Sequence, residues 1–255
     1  MIKQAFACGA AFAALMLTSG GAYAQTDLIV NGDFELTSGH SSGQFDAAHP
    51  YVNVTGWVSH GYNFIFNAGT ADTTGAYSSE YHGPVILWGP ANGSNNGLTA
   101  ASPSGGNFVG ADGAFEVGAI EQVVSGLTVG RTYQVSFYWA GAQQYDLPGD
   151  NTEQFQVSLG SDAQLTSIVS NPTGGFSGWR QQSFVYTASA ASETLSFLAI
   201  GTPDGVPPFA LLDGVSMFEY TAPPVTITPE PGAMALAAAA VAGFGTVLRR
   251  RRSRP

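Results

Sequence analysis

Residues 131–141 read RTYQVSFYWAG, and this alternation restricts the chain's possible folds more than any other stretch. Successive side chains of a strand point to opposite faces. Tyr133, Val135, Phe137 and Trp139 therefore share one side of an extended segment, and Thr132, Gln134, Ser136 and Tyr138 share the other. TEQFQVSLG repeats the pattern, with Phe155, Val157 and Leu159 set against Gln154, Gln156 and Ser158. Each segment predicts a strand buried on one face.

RQQSFVYTAS, ETLSFLAIG and PFALLDGVSMFEY extend the pattern, GPVILWG reads as a short buried strand, and GLTVGRT supplies a turn before residue 132. No segment between the two ends has a helical period. Many short strands separated by glycine-rich turns predict an all-β chain, an antiparallel β-sandwich of the jelly-roll kind. Residues 38–104 are polar and irregular. So long a loop either forms a binding rim or decorates the surface, and the two readings stand level.

The ends are of a different character. Lys3, an apolar stretch from Ala5 to Leu17 and the small residues up to Ala22-Tyr23-Ala24 predict a signal peptide over 1–24, cut after Ala24. At the other end, residues 232–248 carry no charge, the lower limit for a single membrane-spanning helix. Arg249, Arg250, Arg251, Arg252 and Arg254 follow, within an arginine-rich tail over 249–254, and the positive-inside rule keeps them cytoplasmic.

Pro229-Glu230-Pro231, a short hydrophobic helix and a terminal arginine cluster, in that order, resemble the PEP-CTERM sorting signal of Gram-negative bacteria. The resemblance implies that 229–255 is an address processed by an exosortase. The protein would be held transiently in the inner membrane and passed to the cell surface or extracellular matrix, the setting of a biofilm. Between the ends, 25–222 forms the predicted sandwich domain and 223–228 a Pro/Thr linker.

All but one of the 18 acidic residues (Glu230) lie in this body, against Arg131 and Arg180 as its only basic residues, which leaves 15 net negative charges. Such a surface repels nucleic acid, so no nucleic-acid partner is expected. The single cysteine, Cys8, falls in the signal peptide; the mature body has neither disulfide nor thiol chemistry.

LIVNGDFE, TGW at Thr55 to Trp57, GAIEQVVSGLTVGRTYQVSFYWAG, WRQQSFVYTA and FALLDGVSMFE follow one another as in galactose-binding-like jelly rolls, including several carbohydrate-binding modules. The resemblance spans Leu28 to Glu219 and implies a β-sandwich in which sugar binding is common. It also implies a structural calcium ion tying the first strand region to the last, through Glu35 and Asp213 with Asp33 as an extra ligand. Calcium takes six to eight oxygens, so backbone carbonyls or water would complete the set. Read without the resemblance, the same carboxylates are turn or cap residues.

His40, His49, His60 and His82 have no zinc-like spacing. The run Ser79-Glu80-Tyr81-His82 holds groups able to do acid–base work, but chemistry requires convergence in space. Aromatic rings pack on the apolar faces of sugars. Tyr62, Phe64, Tyr81, Trp88, Tyr138 and Tyr145 are placed in loops or on outward faces, and Tyr133, Phe137, Trp139, Phe155, Phe184 and Phe197 in the core, with Trp57 and Trp179. The carbohydrate-contacting set is Tyr138, Tyr145, Gln143 and Gln144. The chain thus reads as a non-catalytic exported protein that binds extracellular polysaccharide. The alternatives are a structural or adhesive domain with no defined sugar site, and a polysaccharide-active enzyme.

Overall fold

The computed structural model describes residues 25–221. Signal-peptide cleavage at Ala24, the linker at 223–228, the Pro229-Glu230-Pro231 motif, the 232–248 helix and the arginine tail lie outside the described residues.

Along the chain the strands are β1 (Thr37–Gly39), β2 (Gly43–Gln44), β3 (Val52–Val54), β4 (Val58–Ser59), β5 (Asn63–Phe66), β6 (Ala76–Ser78) and β7 (Gly83–Val85). A 3-10 turn over Pro90–Asn92 precedes β8 (Phe108–Asp112), β9 (Ile120–Ser125), β10 (Thr132–Gln143), β11 (Asn151–Leu159) and β12 (Asp162–Leu165). The last are β13 (Val169–Asn171), β14 (Arg180–Thr187), β15 (Ser192–Thr202) and β16 (Pro208–Glu219).

Eight strands form one sheet in the order β14-β10-β16-β8-β5-β2-β6-β7; the second sheet has the order β12-β11-β15-β9-β4, with β13 also on β11. Pairing is antiparallel throughout apart from β2 with β6 and the isolated bridge between Asp46 and Ser59. The expected all-β antiparallel sandwich is the fold observed.

Between the sheets the alternating residues meet as predicted. Val135, Phe137 and Trp139 of β10 face Phe155 and Val157 of β11 and Leu195 and Phe197 of β15 in one cluster, all fully buried. The Phe137 and Phe197 rings pack edge to face at 5.1 Å, a favoured aromatic geometry.

The polar region before residue 105 departs from both expectations for it. It supplies seven strands and closes a second hydrophobic cluster on the opposite face of the eight-stranded sheet. Phe64, Phe66, Phe108, Phe209 and Leu211 project from that face, and Ala71, Ala76, Val85, Leu87 and Leu98 of the covering segment lie over them. Tyr62 and Phe64, expected to be outward, are buried in this cluster. Trp179, expected in the main core, packs half-buried against the second cluster.

Candidate functional site: an uncharged shelf on the larger sheet

The second cluster covers only part of the sheet's outer face. Where the covering segment stops, three neighbouring strands present their outward residues. Gln134 stands opposite Val185 and Phe218, Ser136 opposite Ser183 and Ser216, and Tyr138 opposite Gln181. Their alternate neighbours Val135, Phe137 and Met217 are buried in the main core, so the period of two fixes which side chains face out.

Three strands at a spacing of about 4.8 Å, each contributing about 3.4 Å per residue, give a shelf of roughly 10 by 14 Å. Its exposed surface carries amides, hydroxyls, one phenol, Phe218 and Val185, the carboxyl opposite Tyr138, Asp213, being buried. Amides and hydroxyls donate and accept to hydroxyls, while the rings offer apolar area.

At Tyr138 the shelf meets the predicted calcium residues. Between Ser136 and Tyr138 the β10–β16 register shifts, with Gly214 and Val215 of β16 opposite Phe137 alone. This β-bulge re-aims the strand and leaves Asp213 beside Tyr138. Gly214 holds φ at 59°, a conformation that favours glycine. A Cβ there would stand 2.9 Å from the Tyr138 ring.

Asp213 is fully buried beneath the loop before β8. It accepts the Ser102 hydroxyl, the Ser104 hydroxyl at 2.5 Å and the Gly214 N–H at 2.7 Å. Burial pushes its carboxyl up to about 7, the three hydrogen bonds oppose that shift, and the neighbouring Asp33 adds to it. Glu35 binds the far end of the same loop, accepting the Asn107 N–H at 2.5 Å. The structure therefore sets Asp213 and Glu35 against opposite ends of residues 102–107, with Asp33 near enough for Asp213 to feel its charge. No group of three or more His, Cys, Asp or Glu side chains is placed to hold a metal ion among the described residues.

The four predicted sugar-contacting residues divide. Tyr138 lies on the shelf. Gln143 is fully buried, its amide donating to the Gly149 carbonyl at 2.6 Å and accepting from the Gly174 N–H at 2.6 Å. It fastens two loops and has no free face for a ligand. Gln144 and Tyr145 follow the end of β10, and Tyr145 is seven residues from Tyr138, about 24 Å along an extended chain. Its ring packs edge to face on Trp88 at 4.6 Å. Gln181, Ser183, Ser216 and Phe218 were missed, because only strand pairing shows which neighbours of Tyr138 share its face.

No protein-family model matches the chain. Over 230 residues it is 26% identical to halomucin of Haloquadratum walsbyi, a match covering 85% of this chain and 2% of halomucin's length. Solved structures similar to it, all of low identity, include carbohydrate-binding modules, an adhesin domain of Lys-gingipain from Porphyromonas gingivalis and a bacteriophage tailspike protein. TmCBM61, solved with beta-1,4-galactotriose, is 14% identical with a TM-score of 0.40, over 76% of this chain and 99% of that one. The CBM22-1 xylan-binding domain of Paenibacillus barcinonensis Xyn10C is 13% identical with a TM-score of 0.36, over 79% and 99%. A CBM4 structure is 17% identical with a TM-score of 0.35, over 75% and 99%.

Proposed function

We propose that the protein is a non-catalytic, exported polysaccharide-binding protein of the cell surface or extracellular matrix, and that the uncharged shelf of β14, β10 and β16 is its sugar site. The observation that carries this reading is the register: amides and hydroxyls surround Tyr138 and Phe218 on three adjacent strands, and the one carboxyl paired with them, Asp213 opposite Tyr138, is buried beneath the 102–107 loop. Sugar hydroxyls need such partners, and an aromatic ring supplies the apolar contact. The shelf's outward residues are amides, hydroxyls and rings rather than the paired carboxyls that glycosidases set about the scissile bond, which favours binding over hydrolysis. It reaches β14, which ends the sheet, so a polymer can continue past that edge.

Delivery follows the sorting signal: export, transient anchoring in the inner membrane by 232–248, processing by an exosortase near Pro229-Glu230-Pro231, and release to an exopolysaccharide matrix. Calcium is proposed for the 102–107 loop, with Glu35, Asp33 and Asp213 not gathered beforehand but drawn around the ion as it binds, together with serine and backbone oxygens. The ion would offset the mutual repulsion of the carboxylates and fix the edge of the shelf next to Tyr138. A glycan array probed with the full chain tests the sugar reading. Retention on neutral polysaccharides that is lost in Tyr138→Ala supports it, and a blank array would leave a structural or adhesive domain.

A further inference from the structure

The run Ser79-Glu80-Tyr81-His82 acquires partners in space, away from the shelf. It forms the turn between β6 and β7, and the loop between β8 and β9 comes up against it. Gly61 and Gly118 permit the approach: a Cβ on Gly61 would stand 2.3 Å from the Gly118 nitrogen and 2.5 Å from the Glu116 carbonyl oxygen. The Tyr62 N–H donates to that same carbonyl at 3.0 Å.

Three rings pack together here. The Tyr62 and Phe115 centroids are 5.3 Å apart, Tyr62 and Tyr81 5.9 Å, and Tyr81 and Phe115 6.0 Å. Tyr62 lies beneath, while Tyr81 is 59% exposed and presents its ring to solvent. Beside it stand the Glu80 and Glu116 carboxyls, close enough to each other and to Tyr81 for their charges to interact.

Two carboxylate oxygens of this neighbourhood are enclosed without a hydrogen-bond partner. Glu80 Oε2 is one, and Asp112 Oδ2 is the other. Asp112 is 2% exposed. It lies on the side of the sheet that buries Tyr62, and the Tyr62 hydroxyl feels the charge of both Asp112 and Glu80. Neither arginine of the body stands nearby, since Arg131 pairs with Glu219 and Arg180 lies over Trp139; the cationic neighbour is His49, which reaches Glu116 with its charge and lies 3.5 Å from Asp46.

We propose that this platform is a second binding site, one for an organic ammonium group, such as the protonated amine of an amino sugar. An exposed ring face attracts a cation through its quadrupole. Flanking carboxylates hold the same cation by charge-assisted hydrogen bonds, which are shorter and stronger than neutral ones. The aromatic floor favours an ammonium carried on a ring or chain over a bare divalent ion, which takes six or more oxygens. The site is independent of the shelf and of the sugar reading given to it.

Titration calorimetry on the full chain in mild detergent at pH 6 tests the proposal, with a glucosamine hexamer as the probe and the N-acetylglucosamine hexamer as its neutral match. The account predicts that Glu116→Gln, Glu80→Gln and Tyr81→Ala each weaken the amine-bearing hexamer about tenfold. Tyr138→Ala on the shelf should leave that affinity unchanged, as should Asp162→Asn, an exposed acid elsewhere. Three results would overturn the site: equal affinity for the two hexamers, an equal loss in Asp162→Asn from general charge attraction, and displacement by equimolar calcium at matched ionic strength.

Discussion

Glu153 is the residue most at odds with its surroundings. It is 1% exposed between the sheets, accepts only the Asn171 amide at 2.9 Å, and has Oε1 without a partner. Burial raises its carboxyl to about 9, and the Asn171 bond only partly opposes this. A raised carboxyl keeps its proton in the fold while the unfolded chain has lost it, so the unfolded state binds fewer protons and stability falls as pH rises. For Glu153 the window runs from about 4.5 to about 9, with a slope near 1.4 kcal/mol per pH unit. Urea denaturation at intervals across this range should show the decline, and Glu153→Gln, which keeps an acceptor for Asn171, should flatten it. Asp213 and Asp112, raised from 3.8 to about 7 and about 6, add to the decline over its acidic part. Calcium at the 102–107 loop would hold Asp213 ionised and cancel its share. Calcium should accordingly stabilise the fold, by about 2.7 kcal/mol at a hundredfold excess over Kd, and raise the melting temperature in the parent but little in Glu35→Gln or Asp213→Asn. A shift matched by sodium chloride at equal ionic strength, or equal in all three proteins, would mean charge screening alone.

Among the elements, those with one buried face were legible from sequence and those with two were not. β11 alternates buried and part-exposed residues along its whole length, and its hydrophobic period says so. β10 alternates only as far as Trp139, beyond which residues 140–143 are buried throughout. The signal there is smallness: Ala140, Gly141 and Ala142 admit a second layer that larger residues would hold off. β5, Asn63–Phe66, is buried at every position, so its apolar run lost the period of two. The cover over it comes from short, polar, glycine-rich strands whose pairing partners lie far away in sequence. The bulge at Gly214 was equally hidden, since only the register of β10 against β16 exposes the extra residue. Gly214→Ala should cost about 1 to 3 kcal/mol through its left-handed backbone, measurable by denaturation. It should also weaken glycan retention by displacing Tyr138, whereas Gly205→Ala, at a positive φ of 87° with open space around it, should cost stability without affecting retention.

The whole molecule brings the two ends of its described chain to one place. The Leu28 N–H donates to the Met217 carbonyl at 3.0 Å, and the Gln25 amide to the Glu219 carbonyl at 2.7 Å. Replacing Pro229-Glu230-Pro231 with alanines should leave export intact and retain the protein at the inner membrane, as read by cell fractionation; equal arrival of both proteins at the surface would contradict the sorting role. The sandwich follows from segments whose alternation and order the sequence makes visible, while the shelf needed three strands set side by side. Its chemistry is the central claim, and affinity electrophoresis in gels containing the producing cell's neutral polysaccharide tests it most directly. The account predicts that Tyr138→Ala and Phe218→Ala lower retention about tenfold with little change in melting, while Tyr145→Ala, packed on Trp88 beyond the end of β10, migrates like the parent. Retention unchanged in both shelf variants, or lost only in Tyr145→Ala, would contradict it.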